Sequence, residues 1–421
     1  MKDENAFRKA QVKFIVSSAI VYAFFYLTRK NLSMAMPGML DEKVISTYAV
    51  GTMLSFHGIL YGLSRFFNGF WADRLNGRIF MTIGLALSAL MNILFGCTTL
   101  SSLFAIFWIL NGWTQGMGFP PCAKMLTHWI HPKELATKMS IWNTSHSFGA
   151  VMALGLCTLL LSLGFGWRWC FYIPGALAAI IAVYCFFNVK ESPTEAGVEE
   201  LEIEGSASSA SAQQSITTKE RVRIVFTNKV IWFVALSNFF VYIVRFGFLD
   251  WGPTFLKQYK HIPVSKGGLM IIAFELAAVV GTIFAGWATD KWLKGRGVRT
   301  CVICMFFAAL FAFGFWFLPD GAPIWQATLL LMGAGFCIYG PQALIGIIVA
   351  NLATKEAAAM ANGFTGIMGY ASTLVSGIGI AFIKETFGWG AALCAIAVMA
   401  LIGMMILLFA WNANAHGYRK K

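Results

Sequence analysis

The chain has 421 residues, of which 58% are hydrophobic and only 12% are charged. Soluble globular proteins carry about 25% charged residues, so this composition excludes an ordinary soluble domain and indicates a membrane protein. The net charge of +13 does not require a nucleic-acid partner, because the Lys and Arg residues flank apolar runs, where they set membrane topology. We therefore expect no nucleic acid among its partners.

Apolar runs of about 20 residues, each long enough to cross a bilayer, recur along the chain and predict twelve transmembrane helices. They begin near Val12, Ser46, Ile79, Ser101, Lys138, Trp167, Lys229, Gly267, Val298, Ile324, Lys355 and Gly388. The Lys and Arg residues collect in the even-numbered loops and at both ends, which places both termini in the cytoplasm. The sequence thus predicts an all-α, multi-pass membrane protein, and we expect it in a bacterial inner (plasma) membrane.

The most polar stretch covers residues 190–228 and contains a Glu-rich segment followed by a Ser/Ala-rich segment. Such a composition is typical of a flexible linker, here with room for a short surface helix. It divides the chain into an N-terminal six-helix half at 1–189, a cytoplasmic linker at 190–228 and a C-terminal six-helix half at 229–421.

The two predicted halves repeat each other at three places, in the same order. The matched pairs are Tyr26, Arg29 and Pro37 with Tyr242, Arg245 and Pro253; Gly69 and Asp73 with Gly286 and Asp290; and Gly112 and Pro120 with Gly333 and Pro341. Three ordered echoes indicate an internal duplication. A parallel repeat of two six-helix halves is the layout of the major facilitator fold, with the substrate near the midplane between the halves.

Several ionisable residues fall well inside the predicted helices. They are Arg29, Lys30, Arg65, Arg245, Asp250 and Glu275. Arginine is costly in a membrane helix and marks a candidate functional site. Four positive and two negative charges leave an excess of two, which suits the charge of about −1.5 to −2 on a phosphate monoester. The alternative is purely structural ion pairing, but the buried acids are too few to pair every base.

Tyrosines share helix faces with these arginines. In the first predicted helix Tyr22, Tyr26 and Arg29 form one stripe, and in the second Tyr61 lies one turn before Arg65. Phenol and guanidinium donors suit an anion, although ordinary helix packing remains the alternative for the tyrosines.

Lys30 points about 100° away from Arg29, so it faces a different neighbour. Its candidate partners are Asp250 and Glu275, because a buried lysine without a counter-charge tends to lose its proton. From spacing alone, His146 could bond either a ligand or a neighbouring side chain.

Segments along the whole chain resemble the signature motifs of the organophosphate:phosphate antiporters. They lie at residues 26–37 (with Tyr-Leu-Thr-Arg-Lys-Asn), 115–122 (Gln-Gly-Met-Gly-Phe-Pro-Pro-Cys), 142–146 (Trp-Asn-Thr-Ser-His), 242–251, 274–275, 339–341 and 363–370. The resemblance implies that Arg29 and Arg245 bind phosphate and that Lys30, Asp250 and Glu275 form an ion network nearby. The resulting pocket prediction comprises Tyr22, Tyr26, Tyr61, Arg65, Asn143, His146, Tyr339, Asn362 and Tyr370.

The resemblance predicts exchange of a phosphorylated sugar, with glucose 6-phosphate favoured, for inorganic phosphate. One bacterial hexose-phosphate branch carries an Asp and a Lys where this chain has Asn362 and Thr365, which argues against that branch but not against hexose phosphate. A glycerol-3-phosphate antiporter and a membrane sensor of hexose phosphate are the alternatives. No Walker motif or nucleophile–base pair stands out, so we expect a protein that is not an enzyme. We also expect no cofactor and no metal, and a protein that functions as a monomer.

Overall fold

The structure is a computed structural model that describes residues 2–198, 217–319, 321–353 and 357–413. Within these ranges the chain forms fifteen α-helices and no β-strand. The middle of the predicted linker, residues 199–216, and the predicted helix start at Lys355 lie outside the described residues.

Eight α-helices precede the linker. They are α1 (Lys2–Asp41), α2 (Thr47–Arg74), α3 (Gly77–Cys97), α4 (Ser101–Gln115), α5 (Phe119–Trp129), α6 (Pro132–Asn143), α7 (Ser145–Ser162) and α8 (Trp169–Asn188). Seven more follow residue 216. They are α9 (Thr218–Thr227), α10 (Lys229–Gln258), α11 (Val264–Lys291), α12 (Gly297–Phe317), α13 (Ile324–Leu352), α14 (Ala358–Ala371) and α15 (Ile380–Leu408).

The chain folds into two compact units. Unit 1 comprises Met1–Gly38 with Leu60–Gln214, and unit 2 comprises Met39–Ile59 with Ser215–Lys421. Helix α2 therefore contributes its first part to unit 2 and its second part to unit 1. The residues of the predicted pocket and phosphate site that precede the linker belong to unit 1. Those that follow the linker belong to unit 2, and they are Arg245, Tyr339, Asn362 and Tyr370.

Nine helical segments of the described chain are long and apolar enough to cross a membrane, whereas twelve were predicted. One of the nine, Met360–Leu408, covers two predicted helices and bends at Gly388, whose backbone φ is 84°. Helices α2, α4 and α5 are not among these nine segments. Helices α4 and α5 are short because they divide the one helix that was predicted to begin near Ser101. The all-α membrane fold follows from the sequence pattern, while the number twelve stays a prediction.

The break between α4 and α5 has a local cause. Helix α4 ends at Gln115, and α5 begins at Phe119 with Pro120 and Pro121 in its first turn, where proline lacks the N–H that would continue the preceding helix. The Ser64 hydroxyl donates to the carbonyl oxygen of Trp113 at 2.5 Å, so α2 satisfies a carbonyl at the end of α4.

The first residues of the predicted linker pack against unit 1. Glu191 forms an ion pair with Lys124 (2.7 Å), and Glu195 forms one with Arg78 (2.8 Å). The indole N–H of Trp129 donates to the carbonyl of Lys190 at 3.0 Å. The far end of the linker holds the short helix α9, which begins with a capping box. Residues 190–198 therefore pack against the helices of unit 1 in the structure.

Helices α11 and α13 of unit 2 approach each other closely through glycine. A Cβ built on Gly281 would lie 2.0 Å from the carbonyl oxygen of Phe336, a backbone atom that cannot move independently. Small residues of this kind allow membrane helices to pack backbone against backbone.

We expect Gly281→Ala to destabilise unit 2 by about 1–3 kcal/mol or more, because the added methyl group forces the two helices apart. The matched control is Gly286→Ala on the same helix, where no atom lies within 4 Å of the new Cβ. Thermal unfolding in detergent measures both. Equal midpoints for the two variants would contradict the close approach.

Candidate functional site: an arginine cluster in each unit

The first cluster surrounds Arg29 on α1 of unit 1. Its guanidinium carbon lies 4.0 Å from the ring centroid of Tyr61 and 5.6 Å from that of Tyr26. Arg29 is half-buried, whereas Tyr61 is only 3% exposed. A guanidinium on the face of an aromatic ring is stabilised without losing its in-plane N–H donors. The guanidinium of Arg29 thus lies against two tyrosine rings of unit 1.

A line of rings continues from Tyr26 through unit 1. The Tyr26 ring lies 5.4 Å from the His146 ring and 5.6 Å from the Tyr22 ring, and Tyr22 stacks on Trp142 at 4.7 Å. The His146 Nδ1–H donates to the carbonyl of Asn143, since a carbonyl oxygen can only accept. In the neutral imidazole, Nε2 then accepts from the Ser147 hydroxyl at 3.2 Å.

Arg65 joins the same surface from α2. Its guanidinium carbon lies 4.1 Å from the ring centroid of Phe119, and that ring lies 6.2 Å from Tyr22. Phe119 reaches this place because it is the first residue of α5, directly after the break that follows α4. The structure therefore brings together Tyr22, Tyr26, Arg29, Tyr61, Arg65 and His146 in unit 1.

The second cluster surrounds Arg245 on α10 of unit 2, where the side chain is only 8% exposed. Its guanidinium carbon lies 4.6 Å from the ring centroid of Tyr339 and 5.9 Å from that of Tyr242. The Tyr339 hydroxyl donates to the carboxylate of Glu275 at 2.5 Å. One tyrosine thus lies between a buried cation and a buried anion, touching the first with its ring and the second with its hydroxyl.

The remaining predicted residues are placed less centrally. Tyr370 on α14 lies 5.8 Å from the Tyr242 ring and so extends the unit 2 cluster. Asn362 is exposed and donates to the carbonyl of Ala358 one turn earlier in its own helix. Asn143 is exposed and takes part through its backbone carbonyl.

The predicted ion network divides between the units. Lys30 is buried in unit 1, while Asp250, half-buried, and Glu275, only 1% exposed, belong to unit 2. The pairing of Lys30 with either acid stays a prediction. The contact that the structure does give Glu275 is the one from Tyr339.

Replacing Tyr339 by Phe keeps the ring on Arg245 and removes only the hydroxyl. The Glu275 carboxylate then loses a donor in a dry environment, which costs about 1–3 kcal/mol. We expect a lower thermal midpoint in detergent, together with weaker phosphate binding. The control is Tyr172→Phe, which removes the hydroxyl of a partly exposed tyrosine that donates to the Gly96 carbonyl at 2.7 Å. A control that loses as much stability as Tyr339→Phe would argue against a special role for the buried pair.

The two clusters share one kind of donor set. Each presents a guanidinium with phenol hydroxyls in an apolar membrane helix, which is the donor set for bidentate, charge-assisted bonds to phosphate. Among the described residues, no group of three or more His, Cys, Asp or Glu could hold a metal ion.

Sequence reasoning did not include two aromatic residues, Trp142 and Phe119, in the pocket. Trp142 is 1% exposed and stacks on Tyr22, and Phe119 lies under Arg65. Both belong to motifs already singled out, so a signal was present. Their contacts depend on how α5 and α6 approach α1 and α2, which helical spacing does not encode.

Sequence comparisons place the chain among transporters. It matches the model of the Major Facilitator Superfamily over residues 18–377. It is 34% identical to the "Probable hexose phosphate transport protein" of Chlamydia pneumoniae, with 98% of this chain and 93% of that protein covered. It is also 34% identical to the "Glycerol-3-phosphate transporter" of Bacillus subtilis (strain 168), with 98% and 95% covered. The "Membrane sensor protein UhpC" of Escherichia coli (strain K12) is 33% identical, with 93% and 90% covered.

Solved structures agree on the fold. A bacterial homologue of the human lysosomal transporter Spinster superposes with a TM-score of 0.76 at 15% identity, covering 96% of this chain and 97% of the other. The nucleoside transporter NupG gives a TM-score of 0.72 at 13% identity, with 96% and 100% covered. These similarities confirm the predicted all-α major facilitator fold, and at this identity they carry nothing further.

Proposed function

Because the chain belongs to the organophosphate:phosphate antiporter family of the Major Facilitator Superfamily, we propose that it carries phosphate esters across a membrane in exchange for inorganic phosphate. It is an integral, multi-pass transport protein rather than an enzyme. The favoured organic substrate is a hexose 6-phosphate such as glucose 6-phosphate.

The observation that carries the proposal is an arginine on a ring face in each unit. Arg29 lies on Tyr61 and Arg245 lies on Tyr339, both within long apolar helices. Placing a permanent cation in such a helix is costly unless the cation has a function. Phosphate is the ligand that an arginine fork and phenol donors suit best.

We propose further that one phosphate group binds both arginines. The ground for this is the sequence repeat, in which Arg29 and Arg245 occupy equivalent places with a Tyr before and a Pro after. Alternating access then follows from rocking of two repeated halves around a single anion. The phosphate gradient supplies the driving force, and no ATP is consumed.

The organic part of the substrate is proposed from the relatives and from sequence motifs. Relatives named for hexose phosphate and for glycerol 3-phosphate are equally similar to this chain. The segments Phe274-Glu275-Leu276 and Gly340-Pro341-Gln342-Ala343-Leu344-Ile345-Gly346 resemble the sensor-like and the intracellular-bacterial hexose-phosphate members of the family. Glycerol 3-phosphate is therefore kept as the second substrate to be tested.

The experiment is counterflow in proteoliposomes. Purified protein is reconstituted with inorganic phosphate inside, and uptake of labelled glucose 6-phosphate is followed in competition with glycerol 3-phosphate, phosphate and glucose. We expect uptake above that of protein-free liposomes, inhibition by each phosphate compound and none by glucose. Strong inhibition by glucose, or uptake equal to that of protein-free liposomes, would contradict the proposal.

The similarity to a membrane sensor favours one other candidate function, a receptor that binds hexose phosphate and signals to a partner. A receptor would use the same arginines. It would bind glucose 6-phosphate without supporting counterflow. Binding with no counterflow is therefore the outcome that selects the sensor.

A further inference from the structure

Unit 1 contains a network of polar side chains buried among α1, α3, α4 and α8. Each of the first three helices supplies two residues at helical spacing, and all six are nearly or fully buried. They are Thr28 and Asn31 on α1, Ser88 and Asn92 on α3, and Asn111 and Gln115 on α4. Polar groups inside membrane helices are expensive and are kept where they serve a purpose.

The network is centred on the carbonyl oxygen of Thr28. The Asn92 amide donates to it at 3.1 Å, and the Asn111 amide donates to it at 3.0 Å. That carbonyl belongs to the peptide group whose nitrogen is the backbone nitrogen of Arg29. Two amides from two different helices therefore hold the peptide group that carries Arg29.

The other members orient these two amides. The Ser88 hydroxyl donates to Asn111 Oδ1 at 2.6 Å, which turns the Asn111 NH₂ toward Thr28. The Asn31 amide donates to Asn92 Oδ1 at 2.8 Å and does the same for Asn92. Gln115 Nε2 donates to the hydroxyl oxygen of Ser88 at 2.8 Å. The hydroxyl hydrogen of Ser88 is then the one donated to Asn111. The bonds thus form one consistent set rather than isolated contacts.

The second half of the chain has no polar side chains at the positions that correspond to this network. Helices α3 and α12 each have 21 residues, and the positions of Ser88 and Asn92 correspond to Ala308 and Ala312. The other four positions also have counterparts, because Gly112 on α4 matches Gly333 on α13 and Arg29 on α1 matches Arg245 on α10. The counterparts are Met332 for Asn111, Phe336 for Gln115, Val244 for Thr28 and Gly247 for Asn31.

Stability alone is a poor explanation for the difference. Interhelical hydrogen bonds in membrane proteins contribute on average only about 0.6 kcal/mol each. The six counterparts in the second half carry no polar side chain. The polar set is found where Arg29 must be held, whereas Arg245 is contacted by Tyr339, which is itself fixed by Glu275.

We propose that Asn92 and Asn111 are positioning residues for Arg29: by fixing the Thr28–Arg29 peptide group, they set the direction from which the guanidinium reaches phosphate. The inference rests on the proposed function, because it assumes that Arg29 binds phosphate. It predicts that the network acts on ligand affinity through Arg29, since small misplacements of a binding group are costly.

The test replaces network residues by those found at the equivalent places of the other half, Asn111→Met and Asn92→Ala. Each variant is made in the wild type, in Arg29→Lys and in Arg245→Lys. The matched control is Ser17→Ala, which removes a 2.9 Å bond to Tyr184 from a position earlier on α1, away from Thr28. Phosphate affinity is measured by competition of unlabelled phosphate against labelled phosphate. For the weakest binders it is measured by thermal shift at saturating phosphate. The thermal midpoint without phosphate is recorded for every variant.

We expect Asn111→Met to weaken phosphate binding about tenfold in the wild type and in Arg245→Lys, but less than about twofold in Arg29→Lys, where the fork is already gone. Ser17→Ala should leave affinity unchanged in all three backgrounds. Equal losses of phosphate affinity in all three backgrounds, or a lower thermal midpoint with unchanged phosphate affinity, would overturn the inference. If Asn111→Met does not fold, Asn92→Ala is judged by the same outcomes. If Arg29→Lys itself binds phosphate normally, the proposed function fails instead.

Discussion

Replacing either Arg29 or Arg245 by Lys is expected to weaken phosphate binding by about 10–100-fold. Lysine keeps the positive charge but loses the planar fork and its bidentate bonds. A hydrogen bond to a charged group contributes about 1.5–3 kcal/mol, and each 1.4 kcal/mol is a tenfold change in affinity. Calorimetric titration of the purified protein with phosphate measures the loss.

The controls for this result are arginines with ring contacts elsewhere in each unit. Arg168 of unit 1 lies over Trp167 at 4.2 Å and donates to the Thr98 carbonyl. Arg299 of unit 2 lies over Trp411 at 5.0 Å. Their Lys variants should bind phosphate like the wild type. Near-normal binding by Arg29→Lys or Arg245→Lys would remove that arginine from the site.

Release of loaded phosphate into an anion-free bath should be about 10²–10³-fold slower than its exchange for external phosphate. In the proposed mechanism, in which one phosphate binds both arginines, an empty carrier would have to bring two cations together in a dry site. At an effective dielectric constant of about 20, two unit charges about 4 Å apart repel by about 4 kcal/mol, which corresponds to that factor in rate. A bound phosphate converts the repulsion into attraction and allows the site to close.

Labelled phosphate trapped in proteoliposomes measures both rates in one preparation. Efflux is followed first into buffer without transportable anion and then after addition of unlabelled phosphate or glucose 6-phosphate. Protein-free liposomes give the passive leak. Efflux that does not accelerate on addition of external anion would exclude obligate exchange.

Helical spacing was sufficient to find the side chains that share one face of a helix. The stripe of Tyr22, Tyr26 and Arg29 follows from positions four and three residues apart, and Tyr26 indeed lies beside both other members. The same applies to Tyr242 and Arg245. Composition and repeat were likewise sufficient for the fold class, because few soluble proteins could bury so many apolar runs.

Contacts between helices could not be predicted in the same way. The position of Phe119 under Arg65 depends on the break between α4 and α5, and the break depends on prolines and a hydroxyl from another helix. The ordered start of the linker depends on ion pairs formed by Glu191 and Glu195 with distant bases. The network around Thr28 left a visible signal, polar pairs at helical spacing in apolar helices, but its common target appears only when three helices are assembled.

The number of phosphate ions bound per chain, measured by titration of the wild type and of the two Arg→Lys variants, tests the central claim most directly. A single phosphate held by both arginines predicts one site per chain and a large loss of that site in either variant. Two sites per chain, with one retained at full affinity in each variant, would contradict a shared anion and with it the proposed mechanism of exchange.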